Sequence, residues 1–391
     1  MEPTMKKGRP DFLLLFTVVL LACFGMAMIF SASSALGSVK HDNPWYYTSK
    51  QIKFACIGLV GMFVMMNIPI RVWKKTAPYL LLVSIVLLLV VVAAGSSMNG
   101  ARRWIVVAGF QFQPVEFTKL ALIMYISSLI SNKGERIQSF KKGLLPILIV
   151  VSFISLLIMK QPDFGSVLML FFICLTVIII GGVNLRQLGL LFIGISPVMI
   201  YLAVSQSYRF KRIASFMNPY EDQQGSGYQL IQSIYALAHG GMTGTGFGHG
   251  IQKLFYLPEA HTDFIFAVIG EEFGFIGACM VVLGFFILVV KGFMTALRSD
   301  DPFAIMLGTG IVSMIFIQVM LNLGAVTGLL PITGVPLPFI SYGGSSLLLC
   351  MASTGIILSI SRDNYRRRQQ QGYGRKGNQK EQSYDHIFAQ T

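Results

Sequence analysis

The chain has 391 residues, of which 54% are hydrophobic and only 12% charged, with a formal net charge of +14. Soluble globular proteins carry about a quarter charged residues, so this composition excludes an ordinary soluble enzyme and describes a membrane protein. The five cysteines all fall in apolar runs and form no CxxC pattern, which excludes a disulfide framework and a thiolate metal site.

In chain order, ten apolar windows approach the ~20 residues that cross a bilayer as a helix: 12–33, 52–69, 77–95, 115–132, 144–159, 164–183, 187–204, 264–290, 303–323 and 343–360. They predict an all-α polytopic membrane protein with about ten transmembrane helices. The first window follows a basic tail at 1–11. It is too long for a signal-peptide core and lacks a small-residue cleavage site, so it reads as a retained span. Windows 52–69 and 144–159 are short and need tilt or flanking residues to reach across. An even number of spans puts both termini on one side. With the N-terminus inside, 20 of the 31 Lys and Arg lie on inside segments, so the positive-inside rule places both termini in the cytoplasm. The tail residues Arg366, Arg367 and Arg368 then suit anionic lipid rather than nucleic acid.

On that topology the cytoplasmic connections are short basic turns, RVWKK at 71–75, NKGERIQSFKKG at 132–143 and NLRQ at 184–187. Length and chemistry gather on the outer side, at 34–51, 96–114, 324–342 and above all in the extracellular loop 205–263 between the seventh and eighth spans. The tail 363–391 lacks apolar periodicity and is expected to be disordered and dispensable for chemistry. The halves show no sequence repeat, unlike the inverted-repeat plan of many secondary transporters.

Ionisable residues within a span cost at least a few kcal/mol and mark functional sites by default. In NGARRW, 99–104, Arg102 and Arg103 either snorkel at the headgroup level or bind phosphate. In PVEFTKL, 114–120, Glu116 and Lys119 stand three apart on one helical face, close enough to pair. Pro114 suits a first-turn position and sets Glu116 near the positive end of the helix dipole. The pair either fixes packing alone or belongs to a site. In KQPDFGS, 160–166, Asp163 either caps the helix beginning at Phe164 or joins an active site.

The stretch LPEAHTDFIFAVIGEEFG, 257–274, concentrates four carboxylates. Glu259 reads as a solvated loop charge. Thr262 or Asp263 is placed to cap the helix starting at Phe264, where the dipole would hold a carboxylate ionised. Glu271 and Glu272 lie too far in for a cap. Helix neighbours point about 100° apart, so at most one faces a given partner, and one of them suits the role of acceptor for loop or helix-end amides. The loop before this stretch mixes Arg209, Lys211, Arg212 and Lys253 with Glu221, Asp222 and His261. GGMTGTGFGHG, 240–250, has no P-loop signature and no preceding Rossmann strand, so it reads as backbone turns packed against a loop. LPITGVPLPFISYGGSS, 330–346, reads as a re-entrant or kinked segment buried in protein. Two machines fit these features: a transporter using buried carboxylates, or an enzyme acting on a lipid-linked, phosphate-bearing substrate at the outer leaflet. The gathering of candidate residues on the outer half favours the enzyme.

The ordered set NGARRWI (99–105), QPVEFTKL (113–120), QPDFGS (161–166), YRFKRIASFMNPYED (208–222), GYQLIQSIYALAHGG (227–241), LPEAHTDFIFAVIGEEFG (257–274) and LLPITGVPLPFISYGGSS (329–346) resembles the SEDS family, which comprises FtsW, RodA and SpoVE. The resemblance covers about 12–362. QKLFYLPEAHTDF (252–264) is most like FtsW and SpoVE, whereas VPLPF (335–339) is closer to RodA; Val115 departs from the more usual serine. The resemblance implies a ten-span peptidoglycan glycosyltransferase of the bacterial cytoplasmic membrane. Such an enzyme polymerises lipid II on undecaprenyl-pyrophosphate-linked glycan at the outer face, with inversion. The implied partner is a class B penicillin-binding protein, together with membrane proteins of the divisome or elongasome. It marks Asp263 as the essential carboxylate, and Glu116, Lys119 and Asp163 as matching other functional positions. Asp263 is then the general base for the attacking hydroxyl, with Arg102, Arg103, Lys119 and Arg212 as candidate pyrophosphate contacts and Glu271 and Glu272 as support. A divalent cation, Mg2+ or Mn2+, would suit the pyrophosphate. The division role, at the septum, is the first reading; elongation, sporulation or lipid II flipping are the alternatives.

Overall fold

The computed structural model describes residues 8–98, 101–107, 110–221 and 225–388. Its elements run α1 (Phe12–His41), α2 (Tyr46–Asn67), α3 (Ile70–Ala94), β1 (Ser96–Met98), β2 (Ala101–Val107), β3 (Phe110–Phe112), α4 (Pro114–Lys133), α5 (Leu145–Met159), α6 (Phe164–Ile180), α7 (Leu185–Val204), α8 (Ser207–Met217), α9 (Ser226–Gly240), α10 (Ile265–Leu297), α11 (Pro302–Val326) and α12 (Gly344–Phe388). Every apolar window of the sequence coincides with one of these helices. Among the described residues, eight helical stretches are long and apolar enough to cross a membrane, α5 counting with the helical turn Phe140–Leu144 before it, and α6 adds a shorter apolar one of 17 residues. Short polar side chains start several of them. Asp11 accepts from the amides of Leu13 and Leu14 at the head of α1, and Asp301 accepts from Phe303 N before Pro302 opens α11.

The centre is formed by α4, α11 and α12, whose apolar windows are 78%, 78% and 72% buried; α2, α3 and α10 keep under a third of theirs inside. A helix apolar on every side belongs at such a centre. Helices α2 and α12 meet closely through small residues, since a Cβ on Gly355 would lie 2.4 Å from the Met62 carbonyl.

Three features differ from the sequence reading. The outer connection 96–114 is not plain loop. It holds a three-stranded antiparallel sheet in the order β1-β2-β3, pairing Ser97 with Arg102 and Ile105 with Phe112. Asn99 and Gly100 of the NGARRW motif lie outside the described residues. The loop 205–263 contains two helices, α8 and α9; α9 packs on α10 and sends the Ser233 hydroxyl to the Val326 carbonyl at 2.7 Å. Helix α12 continues past its membrane window to Phe388, across the tail expected to be disordered. Extending an existing helix needs no new nucleus, so a polar sequence rich in Arg, Gln and Lys can follow on.

The segment between α11 and α12 is irregular; from Val335 to Ser341 it is largely buried, as the sequence predicted, with Leu337, Phe339 and Ile340 in the core, while Leu330 and Gly334 are exposed. Its backbone groups are met by side chains from two helices, α11 and α2. Gln318 donates to the Pro336 carbonyl at 2.9 Å, Asn322 to Val335 at 2.8 Å, and Gln51 to Ser341 at 3.2 Å. Such pairing is what allows irregular backbone in a protein interior surrounded by lipid.

Candidate active site

Asp263 stands two residues before α10, at the end of an irregular run of turns. Its carbonyl accepts from Asn322 of α11 at 2.8 Å. The two residues before it are tied to the buried segment: Ser341 donates to the Thr262 carbonyl at 2.6 Å, and the Tyr342 amide donates to the His261 carbonyl at 2.9 Å. His261 also packs its ring against Tyr47 and Tyr342, with centroids 4.9 Å and 5.5 Å away. Burial lowers the pKa of His261 below the usual imidazole value, so at neutral pH it is an uncharged packing element.

Neither Thr262 nor Asp263 caps α10. The cap position is Phe264, without a side-chain cap bond, while the Thr262 hydroxyl is taken by Glu259, on its carbonyl at 3.1 Å and its Oε2 at 2.8 Å. The expectation that Asp263 or Thr262 caps α10 is therefore corrected: no side chain does. Burial pushes the Asp263 carboxyl up to about 7; Glu259 adds to the rise, and Arg212 and Arg103 oppose it. Glu259 itself is exposed, as predicted.

Three consecutive residues of the segment between α11 and α12 gather the site. Arg212 of α8 donates to the Ile332 carbonyl at 3.2 Å. The first turn of α6 presses on Thr333, whose carbonyl would lie 2.9 Å from a Cβ on Gly165. Gly334 faces Asp263, with Oδ2 3.6 Å from its Cβ position. Arg103 of β2 reaches the turn ahead of α6, donating to the carbonyls of Gln161 and Pro162. Asp163 is held in that turn as the cap of α6, accepting from Ser166 N at 3.2 Å and Ser166 Oγ at 2.8 Å. Asp263 and Arg212 thus meet at the 332–334 backbone, and Arg103, held on the turn before α6, acts on the Asp263 charge from beside them.

The other candidates lie apart. Arg102 is exposed; next to Arg103 on a strand, it points to the opposite face, and it does not join the site. Glu116 and Lys119 do pair, at 2.7 Å and with side chains 8% and 2% exposed, and the lysine also approaches the Met169 sulfur at 3.6 Å. Among the described residues no hydrogen bond or ion pair joins that pair to Asp263. Its enclosed ammonium is a source of field rather than an open contact for a phosphate.

Glu271 and Glu272 are fully buried and serve a different cluster. Glu271 accepts from the amides of Ile251 at 2.8 Å and Gln252 at 3.2 Å, and meets His239 Nδ1 at 3.0 Å. Glu272 accepts from Lys253 Nζ and from Ser31 Oγ, both at 2.6 Å. The polar residues that build the site from behind, Gln51, Asn322 and Ser341, escaped the sequence reading because uncharged polar residues in or near apolar runs are common; three amide side chains inside predicted spans (Gln51 at a margin, Gln318 and Asn322) were the available signal.

Among the described residues no three His, Cys, Asp or Glu side chains gather into a metal cage. The donor set fits Mg2+ or Mn2+ only as such ions sit beside substrate phosphates, with one or two carboxylates and water. Asp263 and Glu259, whose charges interact, are the carboxylates that would stand beside such an ion.

Comparison with known proteins places this geometry. The family described as "Cell cycle protein", FtsW/RodA/SpoVE, matches residues 11–366. The chain is 43% identical to the stage V sporulation protein E of Bacillus subtilis, over 92% of this chain and 99% of that one. It is 44% identical to a probable peptidoglycan glycosyltransferase FtsW of Trichlorobacter lovleyi, over 90% of this chain and 93% of that one. A solved peptidoglycan synthase complex that coordinates polymerization and crosslinking contains a chain similar at TM-score 0.75 and 29% identity, covering 91% of this chain and 98% of that one. The rod shape determining protein RodA of Thermus thermophilus is similar at TM-score 0.69 and 27% identity, with the same coverage. The chain belongs to the FtsW/RodA/SpoVE family, on which the motifs of its sequence and the fold of its membrane helices agree.

Proposed function

We propose that this peptidoglycan glycosyltransferase of cell wall synthesis polymerises lipid II at the outer face of the bacterial cytoplasmic membrane, with Asp263 as its general base. The observation that carries the reading is the meeting of one half-buried carboxyl with Arg212 at the 332–334 backbone, with Arg103 near enough to act on its charge. Glycosyl transfer from a lipid pyrophosphate needs a proton removed from the attacking sugar hydroxyl and negative charge stabilised on the leaving group. A carboxyl with a pKa of about 7 is ionised in about half of the molecules at neutral pH and binds a proton strongly enough to take it in the transition state. Arg103 and Arg212 stand where a pyrophosphate beside Asp263 would meet fixed positive charge. A Mg2+ or Mn2+ ion beside Asp263 and Glu259 would add to that charge.

The charge bias of the connections supports cytoplasmic termini, which sets the loop 205–263 and Asp263 outside. The partner in this reading is a class B penicillin-binding protein, since polymerised strands must be crosslinked and a similar chain sits in a synthase complex that couples the two activities. The similarity to FtsW relatives supports a place in division and at the septum.

The test is Asp263→Asn in the purified full chain with a class B partner. Loss of a general base lowers lipid II polymerisation by about 10²–10⁴-fold; a variant that polymerised at the parental rate would remove Asp263 from the mechanism. Vesicles holding the chain alone decide the flippase alternative, which predicts transbilayer movement of lipid II that survives Asp263→Asn.

A further inference from the structure

Helix α10 is broken at Gly274, whose φ of 65° and ψ of −167° lie outside helical values. A break strands the carbonyls before it and the amides after it, and each must find a partner. The glycine-rich run 240–250 supplies both. The amides of Thr245 and Gly246 donate to the carbonyls of Glu271 and Glu272, each at 3.0 Å; the amides of Phe275 and Ile276 donate to the carbonyls of Gly241 and Met242 at 2.9 Å and 3.2 Å. Contact is close enough that a Cβ on Gly274 would fall 2.4 Å from the Gly244 nitrogen. The loop is spliced into the helix.

From this splice the chain runs through Lys253 to Asp263 and into the first turns of α10, returning to Glu272. The Lys253–Glu272 ion pair, with side chains 6% and 0% exposed, closes residues 253–272 into a ring. Ser31 of α1 completes the contact, accepting from Lys253 at 2.7 Å while donating to Glu272. Within the ring, residues 254–263 form neither helix nor strand, and Leu254, Phe255 and Tyr256 are exposed. Leu257 and Ala260 are their buried side chains of purely packing character. The far end of this run is held by Asn322, Ser341 and the Tyr342 amide beside Asp263, and its near end by the anchor at Lys253.

A buried ion pair is a poor device for stability, because desolvation offsets its attraction; apolar residues of the same volume do as well or better. Here the second oxygen of Glu272 is buried with no hydrogen-bond partner, so the pair is not built for maximal stability. What an ion pair supplies that apolar packing does not is a single geometry. We propose that Glu272 and Lys253 are positioning residues for Asp263, their pair with Ser31 fixing the run 253–263 against α1 and α10. Glu271, which binds the amides of 251 and 252, holds the same loop to the break. The inference rests on the reading of Asp263 as the base.

The experiment compares Glu272→Gln, Lys253→Met and Lys253→Arg with Asp263→Asn in the purified full chain with its class B partner, measuring kcat, KM for lipid II and thermal unfolding in detergent. A carboxylate displaced by about 1 Å costs on the order of 10²-fold in rate, so Glu272→Gln lowers kcat by that order with KM near the parental value. Lys253→Met does the same, the double variant is no worse than either single, and Lys253→Arg recovers most of the loss. The proposal is overturned by parental kcat in Glu272→Gln, by loss that reflects only a smaller folded fraction, or by Lys253→Arg behaving as Lys253→Met. Full activity in Asp263→Asn overturns the reading beneath it; inactive Asp263→Asn beside fully active Glu272→Gln overturns the positioning role alone.

Discussion

Two arginines and a glutamate act on Asp263 in opposite senses, and burial outweighs them all. The ionised carboxylate is the base, so polymerisation rises with pH through about 7 and levels above it. Arg212→Ala removes a charge that lowers this pKa, and the midpoint of the pH–rate profile moves to higher pH. Glu259→Gln removes one that raises it, and the midpoint moves lower. Initial rates of lipid II polymerisation across pH 5–9, roughly the range over which such a group titrates, check both directions. Sequence reading located Asp263 but offered it as a cap, and a position next to a helix start gives a cap only if the side chain turns back to the helix amides. The hydroxyl of Thr262 turned to Glu259, and nothing in HTDF announces that choice.

At the scale of elements, the long apolar helices were legible because membrane crossing demands length and apolar composition together. The small sheet was missed although its signal was present. In the sequence Asn99-Gly100 lies between the runs SSM and ARRWIVV, and Asn-Gly is a strong hairpin signal. The basic motif drew attention to charge instead of to that dipeptide. Helices α8 and α9, of 11 and 15 residues, are too short to be stable alone and depend on packing that only the tertiary fold reveals. The break in α10 was invisible for a similar reason: one glycine in FGFIG looks like any helix glycine until Gly244 is set opposite it. Gly274→Ala places a Cβ 2.4 Å from the Gly244 nitrogen in a left-handed conformation. It is expected to cost about 2 kcal/mol or more in stability, read as a lowered midpoint of thermal unfolding in detergent.

Across the whole molecule, the site and the tail occupy opposite ends of α12. The residues preceding Gly344 bond to the Asp263 loop, whereas Gln370 ends the 27-residue stretch that begins at Gly344, about 40 Å along a helix axis at 1.5 Å per residue. A chain ending at Gln370 is accordingly expected to polymerise lipid II within about twofold of the full chain, since no field or contact reaches over several Debye lengths; the rate of the purified truncation checks this. The same arithmetic applied to α10 separates two tasks within one helix. Beyond the break, Phe275–Leu297 is long enough by itself, at about 35 Å, to cross a hydrocarbon core of about 30 Å, and it turns Phe275, Ile276, Met280, Leu283 and Phe286 outward. Before the break, Ile265–Glu272 is enclosed by protein at every residue. Anchorage in the lipid therefore falls to the lower part alone. Thinner or thicker bilayers can change the tilt of that part, while the upper part, knitted to the loop that bears Asp263, keeps its orientation toward the substrate.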